Sequence, residues 1–334
     1  KVIITDHHLP GETLPDADAI VNPNQPECQF QSKNLAGVGV AFYLLSGIRA
    51  RLREQNVEKA HNLNLARYLD LVALGTIADL VPLDRNNRIL VDNGIRRIRM
   101  GRGNLGIKAL LAIAGVDEEV VTTRDLAFAL GPRLNAAGRI ENMSIGIECL
   151  LASVDTADGF AEQLDQLNLE RRSIELSMRQ QADDLLKSKD FLKTQSTGLC
   201  LFDQSWHEGV VGILASRIKD LLNRPVFVFA PAMDGSLKGS GRSIKGFHLT
   251  DALAMIASEK PGLVSKFGGH AMAAGLSLEQ DHLEEFSVRF DAITRSQLGD
   301  ELREKVCYSD GAMVEFGLAT VTKIVRDQPW GQGF

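Results

Sequence analysis

Val2-Ile3-Ile4-Thr5-Asp6-His7-His8 is the stretch from which the rest of this chain can be read. A short apolar run bounded by a polar turn predicts a buried strand, with Thr5 as its hinge. Such a strand carries a carboxylate and two imidazoles to its end, where open α/β sheets place their ligands. Ionised carboxylate and neutral imidazole suit Mn²⁺ and similar divalent ions. A cation there polarises a phosphoryl group and makes water a better nucleophile. A single Asp-His-His taken alone is more often a solvated turn, so the reading depends on its companions.

The bulk composition sets the frame. A chain of 334 residues suggests two or three domains. Hydrophobic residues make up 44% and charged residues 24%, an ordinary globular balance. No apolar stretch approaches the roughly 20 residues of a membrane span, and no basic-then-apolar leader opens the chain. Cys28, Cys149, Cys200 and Cys307 are far apart and form neither a metal-type pair nor a disulfide framework, which fits a reducing cytoplasm. The net charge is −6, so a nucleic-acid partner requires local positive potential from bound metal and arginine patches. The chain opens at Lys1 directly on the apolar run and stops at Phe334 within Pro329-Trp330-Gly331-Gln332-Gly333-Phe334, a turn expected to lead into a strand. The expectation is a fragment of a longer protein.

Periodicity predicts a helix from Val38 to Leu52 and a second from Leu63 to Leu80, apolar on nearly every side and therefore buried. The second runs into Gly75-Thr76-Ile77-Ala78-Asp79. Residues 85–150 suggest short helices joined by basic loops, with Arg96, Arg97, Arg99 and Arg102 clustered there. From Asp155 to Lys189 the pattern predicts one long helix, a rod of roughly 50 Å with polar faces that suit a bridge between domains. Beyond it, Leu199–Phe202 and Pro225–Phe229 are expected strands. Gly209–Leu222 and Thr250–Ser258 are expected helices, the latter capped by Thr250. This alternation marks a second, smaller α/β unit. Gly311 to Val325 has strand composition.

Five stretches accompany the opening triplet. Asp79, at a buried helix end, is costly unless paired with Arg85 or Arg88 or bound to a cation. Gly131-Pro132-Arg133-Leu134-Asn135-Ala136-Ala137-Gly138-Arg139 offers close backbone approach and two phosphate-binding guanidiniums, or simply a helix start with solvated arginines. Gly239-Ser240-Gly241-Arg242-Ser243 is either a phosphate cradle or a flexible hairpin tip. Gly268-Gly269-His270-Ala271-Met272-Ala273-Ala274-Gly275 reads as a helix start that aims N–H groups and an imidazole at an anion, or as a close-packed helix with a structural His. Trp206-His207-Glu208-Gly209 precedes a helix, with Trp206 expected in the core. No Walker-type loop and no Gly-x-Ser-x-Gly elbow occurs, which favours metal-assisted attack by water over covalent catalysis.

In this order the motifs resemble the DHH phosphoesterase superfamily, and within it the bacterial single-strand-specific exonucleases. The resemblance covers essentially the whole chain. It implies an α/β fold: residues 1–154 as the C-terminal part of a parallel-sheet DHH domain, 155–190 as a connecting helix, 191–300 as a smaller DHH-associated domain, and 301–334 as the start of an OB-like β domain. It implies a Mn²⁺- or Mg²⁺-dependent hydrolase that removes nucleotides from the 5′ end of single-stranded DNA, in repair and recombination. On that resemblance His7 and Asp79 are metal ligands, and Asp6 is a ligand or an orienting group. His8 faces substrate phosphate, His270 lies near the reacting phosphate with Gly268 and Gly269, and Ser240 and Arg242 hold the 5′ phosphate. Arg133, Asn135 and Arg139 lie along the DNA path. Single-stranded DNA is the implied partner, with a single-strand-binding protein and a helicase as implied protein partners. The family's earlier acidic motifs do not occur in this sequence, so the chain alone is expected to bind Mn²⁺ poorly and to be inactive. Two rivals remain: a family member acting on short oligonucleotides or cyclic dinucleotides, and a non-catalytic scaffold of the same fold.

Overall fold

The computed structural model describes residues 1–11, 13–187, 196–298, 309, 311–312, 317–326 and 329–333. The chain divides into two compact units. One comprises Lys1–Asn168 and Ala312–Phe334, the other Leu169–Gly311.

The first unit begins with a parallel pair, β1 (Ile3–Thr5) and β2 (Ala19–Val21), in register Ile3↔Ala19, Ile4↔Ile20 and Thr5↔Val21. The predicted strand is present, but it is not buried: Val2 is 55% and Ile3 64% exposed. Among the described residues this sheet has two strands, so only one edge of β1 is paired. Helix α1 (Gly37–Glu54) follows. The predicted helix over 63–80 divides in two. Asn64 accepts a hydrogen bond from the Ala66 N–H and caps a 3₁₀ turn, Leu65–Tyr68, before α2 (Leu69–Ala78) begins. Val72, Ala73, Leu74 and Ile77 of α2 are buried, as the all-round apolar pattern requires. Helix α3 (Arg85–Arg99) crosses it at Gly94, where a Cβ would sit 2.2 Å from the Leu69 carbonyl oxygen. Only glycine permits that approach.

Three of the four clustered arginines are therefore helical, and Arg102 lies in the loop that follows. Arg96, Arg97 and Arg99 form the last turn of α3, where cations favour the helix C-terminus. Arg97 approaches Asp70, which is 1% exposed and accepts from the Asn104 N–H at 2.6 Å. Helices α4 (Leu105–Ile113), α5 (Gly131–Ile140) and α6 (Ser144–Leu151) complete the core. The long helix α7 (Ala157–Lys187) has 31 residues. Its Ala157, Ala161, Leu164 and Leu167 belong to the first unit's core, and the helix continues into the second unit. Residues 188–190 of the expected helix lie outside the described residues.

The second unit holds a five-stranded mixed sheet in the order β3-β4-β5-β7-β6. Strand β3 (Leu199–Phe202) leads to helix α8 (Val211–Leu222) and then to β4 (Val226–Pro231), parallel to β3. Strand β5 (Leu237–Arg242) replaces the expected phosphate loop or hairpin tip. Its glycines alternate with polar residues. A Cβ at Gly239 or Gly241 would lie 2.4 or 2.5 Å from the rings of Phe229 and Phe227. The glycines are cut to fit an aromatic core, so the run has strand periodicity without strand-forming residue types. Helix α9 (Leu249–Glu259) takes His248, not Thr250, as its cap.

The expected helix over 268–275 is a hairpin. Strand β6 (Lys266–Gly269) turns at His270 and returns as β7 (Ala273–Leu278). Gly269 has φ +144, and a Cβ there would lie 2.4 Å from the Ala273 carbonyl oxygen, so the turn requires glycine. Helix α10 (Leu283–Gln297) packs Phe286 and Phe290 against Phe227 and Phe229.

The β-rich expectation for 311–325 is corrected over its described part. Leu318–Arg326 is a helix, α11, with Leu318, Val321 and Val325 at helical spacing; branched residues had suggested strand, but their period is that of a helix face. Residues 301–308 and 313–316 lie outside the described residues. After α11, Leu83 N–H donates to the Gln332 carbonyl at 2.9 Å, within the first unit.

Candidate metal and nucleic-acid site

The opening triplet is held by its own hydrogen bonds. The Asp6 N–H donates to Val21 C=O at 3.1 Å, extending the ladder one residue past β1. Asp6 Oδ1 then accepts from the His7 N–H at 2.7 Å and the His8 N–H at 3.1 Å. His8 Nδ1 lies 2.7 Å from the same oxygen. A carboxylate only accepts, so the ring proton is on Nδ1. The His8 ring bond, chief among several hydrogen bonds from His7 and His8, pulls the Asp6 carboxyl down to about 2. In this geometry Asp6 is a clamp on the loop.

Two residues that the sequence reading passed over hold the loop from below. Asn24 Nδ2 donates to His7 C=O at 2.6 Å, and Asn22 Nδ2 to His8 C=O at 2.8 Å. Asn22 Oδ1 in turn accepts from the Asn24 N–H at 2.8 Å. Their signal was present: Asn22-Pro23-Asn24 directly follows a strand paired with the one that carries the triplet.

His7 is the side chain that reaches outward to a partner. Its Nε2 lies 3.5 Å from Asp79 Oδ2, with side chains 20% and 43% exposed. A Cβ on Gly37 would stand 3.7 Å from His7 Cδ2, so α1 begins in contact distance of the imidazole. Asp79 is the C-cap of α2, its N–H bonded to Gly75 C=O at 3.0 Å. A helix C-terminus repels a carboxylate and favours a cation. Gly131 of α5 lies against Ala78, with 3.7 Å from its would-be Cβ to that methyl carbon. That glycine is what lets the Gly131–Arg139 segment come beside the Asp79 end of α2.

The pair suits a hard divalent ion. Adjacent ligands on an octahedral cation with bonds of about 2.1 Å lie about 3 Å apart, close to the separation here. Among the described residues, however, no group of three or more His, Cys, Asp or Glu gathers around one point. Among the described residues His7 and Asp79 supply two donors for such an ion.

The expected DNA-path residues divide. Arg133 is tied down: Nε donates to Asp165 Oδ1 at 2.8 Å and Nη1 to Ala129 C=O at 2.7 Å, which fastens α5 to α7. Asn135 and Arg139 are exposed on α5.

The second unit gathers a separate group. Arg242 Nη1 donates to Ser240 Oγ at 3.1 Å and to Gly241 C=O at 2.7 Å. Gly212, in the first turn of α8, lies against both; a Cβ there would stand 3.0 Å from Arg242 Nη2 and from Ser240 Oγ. Gly212 closes the run Trp206-His207-Glu208-Gly209-Val210-Val211-Gly212 that contributes to the family resemblance, although no site role was read for it in the sequence. Trp206 is buried, donating to Gln181 at 2.8 Å. Gly268, Gly269 and His270 are exposed on the β6–β7 hairpin, with His270 Nδ1 accepting from the Met272 N–H at 3.3 Å.

Comparison with known proteins places these two units. Residues 1–76 match the N-terminal domain of the DHH family, and residues 195–296 match the DHHA1 domain. The chain belongs to the DHH family, with a DHHA1 domain on the C-terminal side of its long helix. Within that family it is 52% identical to the single-stranded-DNA-specific exonuclease RecJ of Dickeya dadantii and 51% to that of Escherichia coli, over 100% of this chain and 59% of each relative. The chain thus spans 59% of the length of these curated relatives. The crystal structure of RecJ from Thermus thermophilus in complex with Mn²⁺ superposes with a TM-score of 0.82 at 32% identity, covering 100% of this chain and 47% of that one. A crystal structure of exonuclease RecJ bound to manganese gives 0.71 at 32% identity, over 91% of this chain and 71% of that one.

Proposed function

We propose that this chain carries the working residues of a Mn²⁺- or Mg²⁺-dependent exonuclease that hydrolyses single-stranded DNA from its 5′ end. The observation that carries the reading is the approach of His7 to Asp79 at 3.5 Å, at a strand end and a helix end. Relatives with the printed name of single-stranded-DNA-specific exonuclease support it, as do related structures with bound manganese.

His7 and Asp79 would hold the cation. A cation there supplies polarisation of the phosphoryl group and a more acidic water. His8, fixed by Asp6, presents its ring toward the phosphate, and Asp6 keeps that ring in one tautomer. On the second unit, Ser240 and Arg242 take the terminal phosphate, and Gly268, Gly269 and His270 contact the strand near the reacting group. Asn135 and Arg139 belong to the DNA path. Arg133 supports that path by fastening α5. DNA repair and recombination are the processes such an activity serves, and a single-strand-binding protein and a helicase are the partners it suits.

Two donors among roughly six positions make for weak metal binding. The chain alone is therefore inactive on this reading. The test uses one 5′-phosphorylated sequence as a single strand and as a duplex, with Mn²⁺ present. The chain binds the single strand in preference, and any mononucleotide release requires Mn²⁺ and His7. Equal affinity for duplex, or release that persists in His7→Ala, contradicts the reading. Rapid Mn²⁺-dependent turnover contradicts the weak-site account.

A further inference from the structure

His7 and Asp79 meet from two elements far apart in the chain, the loop after β1 and the end of α2. Neither element is fixed by local geometry alone. The chain leaves Asp79 through Leu80, which has φ +57. A leucine keeps that left-handed conformation only where its surroundings hold it there. The His7 loop hangs on the side-chain amides of Asn22 and Asn24. The excursion over residues 22–28 that carries those amides contains neither helix nor strand.

Ser32-Lys33-Asn34, which lies between that excursion and α1, reaches both sides. Lys33 Nζ donates to Pro23 C=O and to Cys28 C=O, each at 2.6 Å. These bonds close the excursion near its two ends, and Pro23 lies between the two asparagines that hold the triplet. Ser32 is 7% exposed and donates from Oγ to Asp84 Oδ2 at 2.6 Å. Asp84 is the N-cap of α3, its Oδ1 accepting from the Asn87 N–H at 2.9 Å. The Asn34 C=O accepts from Asn87 Nδ2 at 2.6 Å, and the same amide donates to Pro82 C=O at 2.9 Å. Asn87 is fully buried, and Pro82 stands three residues beyond Asp79. One short segment thus joins the underside of the His7 loop to the turn that follows Asp79. Lys33 is its informative member. The residue is exposed, so its ammonium is free to stay in water, yet it meets two backbone carbonyls.

We propose that Ser32, Lys33 and the Asn34 carbonyl form a tie that sets the separation of His7 and Asp79. They are positioning residues for the cation, and the inference rests on the metal reading of that pair. It gives the segment before α1 a part in metal affinity, although its hydrogen bonds go to backbone carbonyls, Asp84 and Asn87 rather than to the pair itself.

The test uses the 334-residue chain and three variants, Lys33→Met, Lys33→Arg and Ser32→Ala. Mn²⁺ affinity is measured by electron paramagnetic resonance, and the His7 ring resonance by nitrogen NMR of the metal-free chain, assigned by its loss in His7→Ala. In Lys33→Met the affinity falls about tenfold, the lower end of what removal of a supporting group costs a metal site. Its melting temperature stays near the parent's, since the residue is exposed. The His7 resonance shifts in the same variant. Lys33→Arg keeps a donor for the two carbonyls and restores both readouts, and Ser32→Ala lowers the affinity in the same direction. Affinity and ring resonance unchanged in both Lys33→Met and Ser32→Ala overturn the tie and leave the metal reading in place. An equal loss in Lys33→Met and Lys33→Arg also overturns it. A parent chain that takes up no Mn²⁺ overturns the metal reading, and the tie as a cation-positioning device falls with it.

Discussion

Asp79 occupies a position where a carboxylate is poorly stabilised, at the C-terminal end of α2 with the helix carbonyls pointing toward it. Its neighbour at 3.5 Å is an imidazole, not a permanent cation, which is the pairing the proposed metal site calls for. This juxtaposition was legible in the sequence because each half has a local signature: a strand that ends in Asp-His-His and a buried helix that ends in Asp. The Asn22-Pro23-Asn24 run was visible, but the role of its amides was not, since it depends on β2 pairing with β1. Arg133 was read as a contact to DNA, but its partner Asp165 lies 32 positions away and the pairing is tertiary. Arg133→Ala is expected to lower stability by about 1–3 kcal/mol in urea unfolding, because Asp165 loses a charged partner. Affinity for a single strand should fall far less than in Arg242→Ala. Cys149 gives a second residue-level check. It is fully buried, and burial pushes its thiol up to about 11. Maleimide labelling followed by mass spectrometry should modify the partly exposed Cys28 in the native chain and leave Cys149 untouched until the protein is unfolded.

Glycine is where the elements were hardest to read. Helices α1, α2 and α7 announced themselves by apolar period, and β3 and β4 by branched and aromatic residues. Strand β5 did not, because Gly239 and Gly241 are small for the sake of Phe229 and Phe227, residues of another strand. The hairpin at 268–275 was read as a helix because Ala271, Ala273 and Ala274 are good helix formers, while the φ of Gly269 decides for a turn. Two adjacent substitutions separate these demands. Gly269→Ala forces a Cβ against the Ala273 carbonyl and is expected to lower the melting temperature markedly, whereas Gly268→Ala, with open space above it, leaves melting nearly unchanged. Gly94→Ala tests the helix crossing in the same way. Its Cβ would collide with the Leu69 carbonyl oxygen, and a loss of about 1–3 kcal/mol or more is expected in chemical unfolding.

At the scale of the molecule, a net charge of −6 coexists with a proposed nucleic-acid substrate. On the proposed reading the two units concentrate function, with His7 and Asp79 meeting in one and Ser240 and Arg242 meeting in the other. Each unit has its own hydrophobic core, and none of the described helices is long and apolar enough to cross a membrane. The two-unit plan was legible from the change of pattern near residue 198, and the family from the order of the motifs. The helix at 318–326 was not, since its branched residues carry a strand composition on a helical period. The account stands on a cation shared by the His7 imidazole and the Asp79 carboxylate. The most direct measurement is a Mn²⁺ titration followed by electron paramagnetic resonance, with the parent chain, His7→Ala and Asp79→Asn compared under one set of conditions. The parent takes up Mn²⁺ weakly but saturably, and each variant loses that uptake while keeping its melting temperature. Undiminished Mn²⁺ binding in His7→Ala or Asp79→Asn contradicts the account.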